Sequence, residues 1–152
     1  KKNKISKNSI KVIIPEGQSM WFFQYSLFES KYIANDLYNL SLNNKFEIFI
    51  KKKKSFSHLE SYLNCKYPLH KIKFHQPIRG SMVEFREMDF ILSYGISSIA
   101  IRSSEFLNIP YVIYDNSGIS FNQWKLIYSK TKLKPIFAKN LDDLKQTFLF
   151  DL

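Results

Sequence analysis

Residues 89–118 read DFILSYGISSIAIRSSEFLNIPYVIYDNSG. Phe90-Ile91-Leu92 is an apolar run that stops at Tyr94-Gly95, and two serines follow, Ser97 and Ser98, either of which suits a helix N-cap. The helix closes at Asn108, and Ile109-Pro110 leads into a second apolar run, Tyr111-Val112-Ile113-Tyr114. Strand, tight loop, helix and strand make up the unit from which parallel sheets are built. Ligands of open parallel sheets gather beyond the carboxyl ends of the strands. A helix that starts there presents unpaired N–H groups and the positive end of its dipole, which suits phosphate. The segment therefore predicts a protein that holds a phosphorylated small molecule, a nucleotide foremost.

The same alternation extends in both directions. Strands are expected at Ile10–Ile14, Phe46–Ile50, Ile72–Phe74, Phe90–Leu92, Tyr111–Tyr114 and Ile136–Ala138. Between and after them, helical spacing is read from Ser26 to Leu42, Ser57 to Leu63, Met82 to Met88, Ser97 to Asn108 and Phe121 to Ser129. A last helix, LDDLKQTFLF, is capped by Asn140. Strict alternation predicts a doubly wound α/β domain, a six-stranded parallel Rossmann-like sheet with helices on both faces. Two βαβαβ halves give the strand order 3-2-1-4-5-6, with a crevice between the first and fourth strands. Residues 1–9 are polar and read as a lead-in or interdomain linker, and residues 10–152 as one domain. The first residue is Lys1, and the expectation is a piece of a longer protein.

Composition narrows the function class. With 45% hydrophobic residues in regular runs, the chain has the means to bury a core. No apolar stretch reaches the roughly 18 residues of a membrane span, and the basic start, KKNKISKNSIK, lacks the apolar centre of a signal peptide. A single cysteine, Cys65, leaves no internal disulfide and points to a reducing compartment. The net charge of +10 suits a polyanion or a phosphorylated ligand, but Lys, Asn, Ile, Phe and Tyr are abundant together, as base composition alone would produce.

Two loops carry the candidate chemistry. Pro15-Glu16-Gly17-Gln18-Ser19 follows the first strand; Gly17, Gln18 and Ser19 can face a diphosphate or form an ordinary turn. One glycine makes it neither a dinucleotide fingerprint nor a P-loop. Tyr94-Gly95-Ile96-Ser97-Ser98 follows the fourth strand; Gly95 permits a sharp bend or close approach, and the hydroxyls of Ser97 and Ser98 can cap the helix or meet a phosphate. On that helix Ser98, Arg102 and Glu105 share one face, and Ile99, Ser103 and Phe106 another, which is expected to pack on the sheet. Arg102 suits a phosphate and Glu105 a ribose hydroxyl, or the two form a surface ion pair. Lys51–Lys54 end the second strand, as neutralisers of a diphosphate or as a solvated run. Trp21, Phe22 and Phe23 read as core or as a plug against a neighbouring domain. His58, His70 and His75 lack metal-ligand spacing, so no metal is expected.

The pattern Asp-Phe-Ile-Leu-Ser-Tyr-Gly-x-Ser-Ser, short helix, Ile-Pro-Tyr-Val-Ile-Tyr-Asp-Asn resembles the C-terminal, donor-binding half of bacterial B-fold glycosyltransferases of surface-polysaccharide and capsule synthesis. The resemblance covers about thirty residues by the quoted pattern. It implies a nucleoside diphosphate sugar as donor substrate, no further cofactor, and a diphosphate received by the serine loop and the helix that follows. In that family a helix glutamate seven residues before the Pro commonly binds ribose; here Ser103 holds that position and Glu105 lies two residues on. The resemblance also implies a missing N-terminal acceptor-binding domain, a cytoplasmic location at the inner face of the membrane with a peripheral membrane contact, and no turnover by this chain alone. Nucleic acid is not an expected partner. A polyol-phosphate transferase or sugar-nucleotide epimerase domain has the same fold, and a basic Rossmann-like binding module without catalysis is the alternative outside enzymes.

Overall fold

The computed structural model describes residues 9–16, 27–76 and 82–150. Six strands run β1 (Ile10–Pro15), β2 (Phe46–Lys51), β3 (Lys73–His75), β4 (Phe90–Tyr94), β5 (Tyr111–Tyr114) and β6 (Ile136–Ala138). All neighbours are parallel, in the order β3-β2-β1-β4-β5-β6. The chain has the Rossmann-like α/β fold read from its alternation. Its helices are α1 (Leu27–Ser41), α2 (His58–Lys66), α3 (Ser98–Leu107), α4 (Ile119–Ile127) and α5 (Leu141–Phe150).

The two-residue period of the strands divides the core. Val12, Ile14, Ile48, Ile50, Phe90, Leu92 and Val112 point to one face, and Ile13, Phe49, Ile91, Tyr111 and Ile113 to the other. Strands buried on both faces are characteristic of parallel sheets covered by helices. On the first face α1 brings Ile33, Ala34, Leu37 and Leu40, a stripe of helical spacing, joined by Leu59 and Leu63 of α2 and Leu144 and Phe148 of α5. The second face is covered by α3, α4 and the segment around Phe85. Asn140 accepts from the Asp143 N–H at 2.9 Å while the Asp143 carboxylate accepts from the Lys139 N–H at 3.0 Å, so the cap of α5 is reciprocal.

Two expectations change. The helix read from Met82 to Met88 is one 3₁₀ turn, Val83–Phe85. Its buried residues, Phe85 and Met88, and its half-buried Met82 recur every third residue, which matches three residues per turn rather than 3.6. Bonds from the N–H groups of Phe85, Arg86 and Met88 to the carbonyls three residues back, at 3.1, 3.3 and 3.1 Å, show that geometry. Second, α3 packs on the sheet through Ala100, Ser103 and Ser104, with Ile99 half-buried beside them, so of the expected face of Ile99, Ser103 and Phe106 only Phe106 turns away. Phe106 is 75% exposed. The small side chains let the helix backbone approach the strands, and the Ser104 hydroxyl donates to the Ile109 carbonyl at 2.5 Å. Asn108 ends α3 in the left-handed conformation, φ 55°, a role Asn tolerates better than most residues.

Candidate functional site

The strand order puts the carboxyl ends of β1 and β4 side by side, with Val12 opposite Phe90 and Ile13 opposite Ile91. A carboxylate at the amino end of β4 sets that pairing: the Lys11 N–H donates to Asp89 at 2.9 Å and the Asp89 N–H to the Lys11 carbonyl at 2.8 Å.

The turn after β4 is held from beneath by one buried hydroxyl. Gly95 has φ 101°, where a side chain would be strained. The Ser93 hydroxyl donates to the Gly95 carbonyl. That leaves the Ser93 oxygen to accept from Tyr111, whose hydroxyl lies 2.6 Å away, and the Tyr111 oxygen accepts the Ser97 N–H at 3.1 Å. Each polar group of this relay is thus paired. Burial pushes the Tyr111 phenol up to about 12, so it stays a donor at any physiological pH. The Ser97 hydroxyl accepts the Ala100 N–H at 3.3 Å and is buried, serving as the N-cap of α3. The Ile101 N–H goes to the Ser97 carbonyl. The N–H groups of Ser98 and Ile99, which have no intrahelical acceptor, remain at the mouth of the turn.

Ser98, Arg102 and Glu105 are exposed, as their shared outer face requires. Side chains on a helix lean toward its N-terminus, so Arg102, one turn in, can reach back to a group bound at Ser98. Glu105 is about 10 Å further along the axis than Ser98. It lines an open groove of about 880 Å³ at the amino ends of β5 and β6, with Asn108, Lys132 and Lys134. Among the described residues no ion pair joins Arg102 to Glu105. Gly17, Gln18 and Ser19 lie outside the described residues, as do Trp21, Phe22 and Phe23.

Lys51 and Lys52 are neither solvated nor open to a ligand. Lys51 is buried against Glu84 at 3.3 Å, and Lys52 against Glu60 at 2.7 Å. Lys53 and Lys54 are exposed. Beside Lys52, Glu16 is buried just past the end of β1. Its carboxylate accepts from the hydroxyl of Ser57, which in turn accepts the Glu60 N–H at 3.1 Å as the N-cap of α2. Burial raises the Glu16 pKa, against the opposing pull of the Ser57 bond and Lys52. The raised value means that the stabilising contribution is full below the unfolded-state pKa and is lost as pH rises through the folded one. Glu16→Gln keeps an acceptor for Ser57 and removes the buried charge. Its melting temperature should exceed that of the wild type at pH 8, and the gap should close as pH falls toward the ordinary glutamate value of 4.5. Parallel melts from pH 4 to pH 8 check this, and a Glu16→Gln variant less stable than the wild type at pH 8 would contradict it.

A further cluster sits at the end of β5. The Asp115 carboxylate accepts the N–H groups of Ser120 and Phe121 at 3.3 and 2.9 Å, so the amino end of α4 is filled by the chain itself. The rings of Tyr94 and Tyr114 lie 5.0 Å apart. The Tyr114 hydroxyl is 3.4 Å from that of Tyr32, which accepts from Asn116 at 3.0 Å. Burial raises the pKa of Asp36, to which the Tyr114 hydroxyl bonds, and that of Tyr114 rises also, chiefly by burial. The reading of the sequence passed over Glu16, Ser93, Tyr111 and Asp115. A signal existed for Glu16 and Asp115, since each is an acid immediately after a buried strand. Among the described residues no group of three or more His, Cys, Asp or Glu could hold a metal ion, and no helix is long and apolar enough to cross a membrane. No family model matches the chain, and no curated protein matches it.

Proposed function

We propose that this chain is the donor-binding domain of a bacterial glycosyltransferase of surface-polysaccharide synthesis and holds the diphosphate of a nucleotide sugar where β1 and β4 diverge. The observation that carries the reading is the amino end of α3. It opens beside the end of β1 and follows a glycine at φ 101°. Its first two N–H groups have no acceptor within the helix. Of the neighbouring strand-to-helix junctions, the one after β5 is closed by Asp115 and the one after β2 by Ser57, which the Glu16 carboxylate holds. A polyol-phosphate transferase or a sugar-nucleotide epimerase domain would use the same diphosphate site.

Calorimetric titration with UDP and CDP tests the reading. Without a second domain over the crevice, the dissociation constant should be about 0.1–1 mM, or roughly 4–5.5 kcal/mol. Arg102→Ala should cost about 1–2 kcal/mol of binding, the worth of a charge-assisted hydrogen bond, and leave the melting temperature unchanged because Arg102 is exposed. Gly95→Val should remove binding and destabilise the fold by about 1–2 kcal/mol through its positive φ. Absence of heat at high millimolar nucleotide, with steeply salt-dependent binding of mixed-sequence DNA, would move the assignment to a basic binding module.

A further inference from the structure

The groove at the amino ends of β5 and β6 has no part in the nucleotide site, which lies at the other end of the strands. Its volume of about 880 Å³ is that of a small-molecule site, roughly 300–1,000 Å³. One wall is the C-terminal turn of α3, which brings Glu105 and Asn108. The other is the connection into β6, which brings Lys132 and Lys134. Leu133 and Ile136 supply apolar surface.

The two walls differ in sign. Glu105 stands in the last turn of a helix, where carbonyls without intrahelical donors add negative potential. The cap satisfies the Ser104 carbonyl, which accepts the N–H groups of Asn108 and Ile109. On the other wall the two lysines belong to a stretch without acids, since none occurs between Asp115 and Asp142. Elsewhere in the chain carboxylates and lysines that approach each other pair, as Glu47 does with Lys73, Glu60 with Lys52 and Glu84 with Lys51. In the groove they do not: among the described residues Glu105, Lys132 and Lys134 form no ion pair with one another or with any other residue. All three are exposed to an incoming ligand. The balance of charge defines its class. Two ammonium groups against one carboxylate suit a molecule with one ammonium group and two carboxylates. A plain polyanion would meet the lysines but be repelled by Glu105 and the helix end, and a plain cation the reverse.

We propose that this groove binds a small acidic zwitterion of the amino acid or dipeptide class, with its ammonium group at Glu105 and its two carboxylates at Lys132 and Lys134. The proposal is independent of the nucleotide reading, because the two sites lie at opposite ends of the strands. Amide NMR titration of the 152-residue protein with the dipeptide alanyl-glutamate tests it. Saturable shifts are expected at Glu105–Ile109 and Lys132–Lys134, with a dissociation constant of about 1 mM. Lys132→Ala/Lys134→Ala should weaken binding about tenfold and Glu105→Gln about threefold, the losses of charge pairs partly screened by water. N-acetyl-alanyl-glutamate keeps both carboxylates and lacks the ammonium group. It should bind the wild type about threefold more weakly than alanyl-glutamate does, by the same charge pair, and the Glu105→Gln variant should not distinguish the two dipeptides. The substituted side chains are exposed, and circular dichroism should show an intact fold in each variant. The proposal is overturned by any of three results: no shifts in the groove at about 20 mM alanyl-glutamate, equal affinity of the wild type for the dipeptide and its N-acetyl form, or binding that the substitutions leave unchanged. The second result would reduce the groove to two lysines that attract any anion.

Discussion

Lys52→Met should destabilise the protein by about 3 kcal/mol, because removing one partner of a buried pair leaves the other charge uncompensated. Lys52 is 3% exposed and its ammonium group touches Glu60 at 2.7 Å. Glu16, itself buried, is the second carboxylate that this ammonium group faces. With methionine at position 52, two carboxylates share a junction with no cation between them. Glu60 keeps 28% of its side chain in water, which holds the cost to the lower part of the range for buried pairs. The loss should shrink as pH falls and Glu16 takes up its proton, since the raised-pKa carboxyl then no longer needs a counter-charge. Urea unfolding at pH 8 and pH 4.5 measures both effects. A change below about 0.5 kcal/mol at pH 8 would place Lys52 in the class of surface substitutions.

Tyr111→Phe should cost about 2 kcal/mol for a single oxygen atom, since it strands buried polar groups on both sides. The Ser97 N–H loses its acceptor and the Ser93 hydroxyl loses its donor, both out of reach of water. The consequence extends to the site. Tyr111 is what fixes the start of α3 to the sheet, so the amide protons of Ser97 and Ser98 should exchange with solvent faster in the Tyr111→Phe variant. Nucleotide affinity should fall with them although residue 111 touches no ligand. Equal UDP affinity in both proteins, with the stability loss intact, would separate the hydroxyl from the site and contradict this account of the turn.

Most of the architecture is legible in the sequence because parallel strands advertise themselves. Runs such as IKVII and FEIFI are apolar on both faces, and a strand covered on both sides by helices has no alternative reading. Met82–Met88 misled because apolar residues three apart fit a helical stripe as well as a 3₁₀ turn over so short a stretch. The face of α3 misled for a different reason. The expectation placed Phe106 inward because it shares a helical face with Ile99 and Ser103, but the buried face is rotated toward Ala100 and Ser104, small residues that fit against the sheet. The lysine run illustrates a general blind spot: composition says that four cations adjoin a strand end, but only tertiary structure brings Glu84 and Glu60 to two of them. The same holds for Tyr111, whose apolar neighbours in sequence mark it as core and conceal that its hydroxyl organises the turn after β4.

The central claim is that a nucleoside diphosphate binds where β1 and β4 part, on the amino end of α3. Its most direct test is an amide NMR titration of the 152-residue protein with UDP. The account predicts fast-exchange shifts concentrated at Gly95–Ser98 and at residues 17–19, with little change at Lys51–Lys54 or in the groove lined by Glu105, Lys132 and Lys134. Shifts confined to those lysines or to that groove, or none at high millimolar UDP, would contradict it.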